Sequence, residues 1–290
     1  MQAFDYVAPS SVQEAVAVLA KHGPAARVLA GGTDIIIQAR EGRRDVAVMV
    51  DVKGIAELTQ ITHNGDGSLR IGAATPCARI YSDPVIKQRF PAIVDSASLI
   101  GGIQIQSRAS LGGNLCNSGP AGDSIPTMIA LGAVCEITGP GGSRTVKVED
   151  FCTAPGRNVL QNGEMLVSLL FPAPSGNSGA AFERFIPRNE MDIAVANAAS
   201  NVTLSADGQT FQSARIAIGA VAPTPLYVEA AGAALAGQPV NDATIARACE
   251  AAQAAASPIN DMRGTIEQRK HLVGVLVRRT INKAVQRARG

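Results

Sequence analysis

Arg108-Ala109-Ser110-Leu111-Gly112-Gly113-Asn114-Leu115-Cys116-Asn117-Ser118-Gly119-Pro120-Ala121-Gly122-Asp123-Ser124-Ile125-Pro126 sets four glycines among small polar side chains. With no Cβ in the way, the amides of such a stretch can close on a bound group, which is how a polypeptide cradles a pyrophosphate. The same composition also builds ordinary surface turns. A second cluster of this kind lies far upstream, Leu29-Ala30-Gly31-Gly32-Thr33-Asp34-Ile35. Two such loops in one chain imply one extended ligand.

The rest of the composition narrows the class. At 290 residues and 46% hydrophobic content the chain suits two or three packed subdomains. A net charge of +2, aromatics at 3% and no Trp offer neither a basic field nor a stacking platform, so nucleic acid is excluded as a partner. The N-terminus lacks a basic segment followed by an apolar run, and no apolar stretch reaches the roughly eighteen residues of a membrane span, so the chain reads as cytoplasmic. The five cysteines, Cys77, Cys116, Cys135, Cys152 and Cys249, stand at wide spacings without a C-x-x-C pair, the pattern of free thiols. His22, His63 and His271 occur singly and read as surface residues without partner carboxylates. No Ser-His-Asp order and no G-x-G-x-x-G after a strand is present, so neither hydrolysis nor a Rossmann-type NAD site is supported.

Local signals lay out the elements. Ser11 with Glu14 forms a capping box, and Val12, Ala15, Val16 and Leu19 recur at helical spacing as far as Gly23, which predicts a helix over 12–22. Residues 27–30 read as a buried strand that releases into the first glycine loop, with 35–38 packing beneath it, and 46–52 as another strand. Residues 58–63 and 68–71 flank Asn64-Gly65-Asp66-Gly67 as a hairpin that starts a second subdomain. Thr75-Pro76 and Asp83-Pro84 predict capped helices over 76–82 and 84–88, Pro91 opens another to about Leu99, and Asp123 opens 127–131. A hairpin over 134–138 and 144–148 and a strand over 165–171 complete the first half. Pro172 to Gly179 is the clearest linker, so the chain divides into 1–175, with subdomains of about 1–57 and 58–175, and 176–290. The second half reads as strands over 181–186, 193–204 and 213–220, with helices over 229–235, 242–256 and 265–289 on one face. Arg263, Arg269, Lys270, Arg278, Arg279, Lys283, Arg287 and Arg289 run along the last helix and its approach, as a solvated face or as a docking surface.

Ala-Gly-Gly-Thr-Asp, then Ala-Ser-Leu-Gly-Gly-Asn with its Ser-Gly-Pro-Ala-Gly-Asp run, then Arg188-Asn189-Glu190-Met191-Asp192-Ile193-Ala194, resemble over the whole chain the FAD-binding medium subunit of the molybdenum hydroxylases, the xanthine and carbon monoxide dehydrogenase family. The resemblance implies an α+β fold: a two-subdomain PCMH-type FAD-binding domain followed by an antiparallel sheet with helices on one face. It implies that the backbone of Gly31, Gly32, Thr33 and Asp34 receives the FAD diphosphate, helped by Ser110, Gly113 and Asn114, with Asp123 on the adenosine side. Leu29 and Ile35 line the same groove, and Ala30, Gly101, Gly112 and Asn117 complete the set. Val167 and Arg184 align with further flavin contacts, Arg184 where a basic residue can stabilise charge on the reduced flavin. Ile100 falls where the family often stacks an aromatic on the flavin. Asp34 and Asp123 also suit helix caps.

By the same resemblance this chain has no catalytic residue and no metal of its own, since the cysteine-bearing insertion of the 4-hydroxybenzoyl-CoA reductases is missing. Electrons pass from a molybdenum centre with its molybdopterin on a large subunit, through two [2Fe-2S] clusters on a small subunit, to FAD here and on to an external electron acceptor, in a dimer of heterotrimers. The Gly-Thr-Asp form of the first loop points to the purine and N-heteroaromatic branch. Two rivals stand beside it: a self-sufficient oxidase of the vanillyl-alcohol oxidase type, and a nucleotide-holding module that turns nothing over.

Overall fold

In the computed structural model, which describes residues 2–290, three larger sheets, one two-stranded hairpin and three apolar cores are laid out along the chain. The first unit is β1 (Asp5–Val7), α1 (Val12–His22), β2 (Ala26–Leu29), α2 (Ile35–Arg40) and β3 (Val48–Asp51), with the strands parallel in the order β1-β3-β2. Ser11 Oγ accepts from Glu14 N at 3.2 Å, and Glu14 reaches back to Ser10 N at 2.7 Å, a capping box displaced by one residue. Gly23 closes α1 at φ +56°, a conformation that side chains resist.

Next come α3 (Ala56–Thr59), β4 (Ile61–His63), β5 (Leu69–Gly72), α4 (Cys77–Ser82), α5 (Pro84–Arg89), α6 (Pro91–Ala97), α7 (Ile103–Gln106), α8 (Leu111–Asn117), α9 (Ser124–Ala130), β6 (Val134–Gly139), β7 (Gly142–Lys147), the small hairpin β8 (Cys152–Ala154) and β9 (Arg157–Asn158), and β10 (Met165–Phe171). They build an antiparallel sheet in the order β4-β5-β10-β6-β7. Central β10 is buried on both faces, and a bulge between Leu166 and Ser168 shifts its register. Met165 and Val167 pack with Val12, Val48 and Val50 of the first unit, while Leu166, Leu169 and Phe171 pack beneath α4 to α9. One strand thereby joins two cores.

The last third is β11 (Ser178–Phe185), β12 (Ala196–Leu204), β13 (Phe211–Gly219), β14 (Leu226–Tyr227), α10 (Glu229–Leu235), α11 (Asp242–Ala255) and α12 (Ile266–Arg289), with the strands antiparallel in sequence order. The helices bury the face that carries Ala198, Val202, Ile216 and Ile218. The opposite face presents Phe182 and the small Ala199 and Ala217 to the core under α6 and α9, and Asn201 and Arg215 donate to the Ala130 and Ile129 carbonyls at the end of α9. Gly132 N also reaches the Ile129 carbonyl at 3.0 Å, so the cross-domain side chains add to the backbone bonds that finish the helix.

Several expectations change on contact with the structure. The segment after the first loop is a helix with no buried residue, and Ile36 and Ile37 stay 45% and 44% exposed because no element covers that side. Thr75 caps nothing: Pro76 is the N-cap, and Thr75 Oγ1 is buried without a partner, whereas Asp83 accepts from Val85 N and Ile86 N at 2.9 Å. The opening stretch is half helical, since α8 and α9 claim much of it. His63 has a carboxylate partner after all, Asp83 at 3.1 Å. β1, α3, the β8–β9 hairpin and β14 are too short to carry a period.

The basic run of α12 is not one uniformly solvated face, because several of its members are engaged within the chain. Arg269 is 3% exposed and donates to the Val195 and Ala220 carbonyls, with Asp261 at 2.6 Å. Arg287 grips Asp95 of α6 with two bonds of 2.6 and 2.9 Å and the Ala180 carbonyl at 2.7 Å, and Lys283 adds a contact to Asp95 at 3.2 Å. Asp95 also accepts from Phe182 N at 3.2 Å. Asp95→Ala therefore leaves two cations and an amide without their acceptor, and we expect a loss of about 2 kcal/mol in urea unfolding at unchanged slope. An unchanged midpoint would show that this clamp contributes nothing.

Candidate functional site

The strand β2, the helix α8 and the approach to β10 enclose a cavity of about 560 Å³, well within the size range of small-molecule sites. Its wall combines apolar side chains such as Leu19, Val28, Leu58 and Leu166 with the polar Thr33, Gln38, Asn114, Asn117 and Asn158.

The two glycine loops meet here through backbone. A Cβ on Gly31 would lie 1.9 Å from the Arg108 carbonyl oxygen, so only glycine lets the first loop cross the start of the second. Gly32 follows at φ +80°, where a side chain would be strained and would meet Ile36 Cδ1 at 2.6 Å. Asp34 turns toward α8: Asn117 Nδ2 donates to its Oδ1 at 3.3 Å, and Gln38 Nε2 donates to Asn117 Oδ1 at 2.9 Å. Its N-cap position carries no side-chain cap bond. Desolvation raises the Asp34 pKa, and the Thr33 hydroxyl offsets part of the rise.

In the second loop Ser110 is the N-cap of α8 and accepts from Gly113 N at 3.1 Å. Neither Gly112 nor Gly113 has the positive φ that would demand glycine. Their uses differ. A Cβ on Gly112 would meet Ala73 O at 2.4 Å, a packing constraint between α8 and the end of β5, whereas one on Gly113 would meet only Ser110 Oγ at 3.0 Å. Asn114 Oδ1 accepts from Ser124 Oγ at 2.7 Å, which fixes the wall to the start of α9.

Of the residues singled out from sequence, Ala30, Gly31, Gly32, Thr33, Asp34, Ile35, Ile100, Ser110, Gly112, Gly113, Asn114 and Asn117 come together on this wall. Leu29, Gly101, Asp123, Val167 and Arg184 do not. Leu29 ends β2 behind Gly32, Gly101 makes a turn at φ +62° after Ile100, and Val167 packs in the core against the first unit. Asp123 and Arg184 form a buried ion pair joining α9 to β11, with Asn197 Nδ2 at 3.5 Å from the carboxylate. Burial pushes the Asp123 carboxyl up to about 6, and the guanidinium limits the rise.

Residues 2–174 match the model of the FAD binding domain in molybdopterin dehydrogenase, and residues 181–284 that of the CO dehydrogenase flavoprotein C-terminal domain. The chain belongs to the FAD-binding subunits of the molybdenum hydroxylases. It is 34% identical to the xanthine dehydrogenase FAD-binding subunit of Escherichia coli O157:H7, over 98% of this chain and 97% of that one. Identity is also 34% to the carbon monoxide dehydrogenase medium chain of Afipia carboxidovorans, over 99% and 98%. Carbon monoxide dehydrogenase from Hydrogenophaga pseudoflava, solved without the Mo-pyranopterin moiety of its molybdenum cofactor, superposes with a TM-score of 0.94 at 33% identity, covering 99% of this chain and 98% of its own. This molybdenum-hydroxylase flavin subunit thus carries an FAD-binding domain, and among the described residues no helix is long and apolar enough to cross a membrane.

The flavin subunit's cavity also uses residues that the sequence reading passed over: Arg27, Gln38, Arg44, Asn158 and the segment 160–166. Arg27 had a usable signal, a lone charge inside the apolar run Ala26-Arg27-Val28-Leu29. Gln161-Asn162-Gly163-Glu164 had none, because as sequence it is an ordinary polar turn.

The packing separates the two central glycines. Gly112→Ala should lower the melting temperature of the flavin-free chain markedly, by several kcal/mol in stability, since backbone blocks the new methyl. Gly113→Ala should cost less than about 1 kcal/mol yet weaken FAD binding in a fluorescence titration. The reverse pattern would contradict the division.

Proposed function

We propose that this chain holds FAD as an electron relay between the [2Fe-2S] clusters of a small subunit and an external acceptor, while substrate is hydroxylated at the molybdenum centre of a large subunit. The observation that carries the reading is the crossing of Gly31 over the Arg108 carbonyl, which puts both glycine loops on one cavity wall. The wall suits a flavin dinucleotide in its chemistry: glycine-lined backbone for a diphosphate, and Ile100, Leu58 and Val28 as apolar surface for rings. When bound, FAD supplies exchange of electrons both in pairs and singly, which amino-acid side chains do not.

The chain's own residues bind and orient. Backbone of Gly31, Gly32, Thr33 and Asp34 receives the diphosphate, with Ser110, Gly113 and Asn114 opposite. Ile35, Ala30 and Asn117 shape the groove, Gly112 seats α8, and Leu29, Gly101 and Val167 support the wall from behind. Arg184 and Asp123 act in this reading by tying β11 to the loop before α9, whose Ser124 holds Asn114. The division near residue 175 follows the linker between the two family-matched regions. The assembly is a cytoplasmic dimer of heterotrimers in this proposal, and the purine or N-heteroaromatic substrate class rests on the Gly-Thr-Asp loop, since identity is equal to xanthine and carbon monoxide relatives. The comparisons lend no support to the self-sufficient oxidase alternative.

The test is division of labour. Expressed alone, the chain should be yellow and reducible by dithionite, and should turn over no purine, N-heteroaromatic or carbon monoxide. Subunits copurifying with it should carry molybdenum and iron, and should restore substrate-dependent bleaching of the flavin. Substrate oxidation by the isolated chain would overturn the proposal.

A further inference from the structure

The cavity wall carries two cations that form no ion pair among the described residues. Arg27 stands on β2 and Arg44 on the segment between α2 and β3, and both line the cavity. Arg27 Nε is buried with no acceptor. Arg44 Nη2 donates to the Gly156 carbonyl at 3.2 Å, a neutral partner. Of the acidic groups on the same wall, Glu164 pairs with Arg144 through two bonds of 2.7 Å, and Asp34 accepts from the neutral Asn117 and Thr33 and from neither arginine. Burial lowers the Arg27 pKa, and the charge of Arg44 adds to the drop.

Two like charges held together beside Leu19, Val28 and Leu166 are unfavourable unless an anion compensates them, because a partly desolvated cation needs a counter-charge as well as hydrogen bonds. On the cavity wall the glycine loops offer amide dipoles, and Arg108, at the start of the second, is exposed and outside that wall. We infer that Arg27 and Arg44 form a two-arginine anion subsite that supplies the counter-charge to the diphosphate of the bound dinucleotide. A guanidinium is suited to this, since its planar fork of N–H donors matches phosphate oxygens. The inference rests on the FAD reading above and deepens it: affinity comes from these side chains as well as from the loop backbone, and it extends to nucleoside diphosphates that lack the flavin.

The test uses the full chain freed of flavin, with FAD binding read by fluorescence quenching, ADP binding by competition, and melting temperature as the folding control. ADP should compete in the wild type. Arg44→Gln and Arg27→Gln should each weaken FAD and ADP about tenfold or more, the size of a charge-assisted hydrogen bond, at an unchanged melting temperature for Arg44→Gln. Arg44→Lys should recover part of the loss. Unchanged FAD affinity in both Gln variants, or loss of FAD affinity with ADP competition intact, overturns the subsite while leaving the FAD reading standing. A wild-type chain that binds no FAD sinks that reading instead.

Discussion

The closest backbone approach at the site, Gly31 over the Arg108 carbonyl, leaves room for a hydrogen and nothing larger. Everything functional is arranged about that crossing. The parallel β2 delivers the first loop to it, α7 and its following turn deliver the second, and Ser110 starts α8 directly beyond it. Because the contact is backbone to backbone, it holds the two loops together without engaging a side chain, leaving Thr33, Asn114 and Asn117 to face the cavity. Asp34, Asn117 and Gln38 then tie the far ends of the two loops with hydrogen bonds that complement the steric fit.

The rest of the architecture keeps the crossing rigid. β10 packs one core with its Met165 and Val167 and another with Leu166 and Leu169, so the first unit and the larger sheet cannot move independently about the cavity. On the other side, small residues on the C-terminal sheet let α6 and α9 approach, and the Asp95, Asp123 and Glu149 ion pairs to Arg287, Arg184 and Arg215 secure that interface with charge. The Asp123–Arg184 pair is buried and the other two are partly buried; such pairs cost much to break singly and contribute less as a net term, so their role here is registration more than raw stability.

Much of this was legible in the sequence where local physics decides. The helix over 12–22 follows from its cap and period, β10 from an apolar run interrupted only by Ser168 and bounded by Pro172, and the C-terminal strands and helices from alternation and spacing. The two glycine loops could be paired because the same glycine-rich, small polar composition occurs twice, far apart in the chain. What was hidden depended on distant partners. Ile36 and Ile37 look like core residues until no element is found to cover them. Lys283 and Arg287 look like solvent-facing charges on a helix until Asp95 is placed opposite. Gly112 and Gly113 are indistinguishable in one dimension, and only the position of Ala73 shows that one of them serves packing. Arg27 broke an apolar run, but its unmet hydrogen-bonding need shows only when the cavity closes around it.

The central claim is that one dinucleotide lies across both loops at this crossing, and a crystal structure of the flavin-loaded chain tests it most directly. The account predicts FAD density within the cavity, with the diphosphate against the amides of Gly31 to Asp34 and within reach of Arg27 and Arg44, and the ring system toward Ile100. Density that leaves the Gly31–Arg108 crossing uncontacted, or FAD bound outside this cavity, would contradict it.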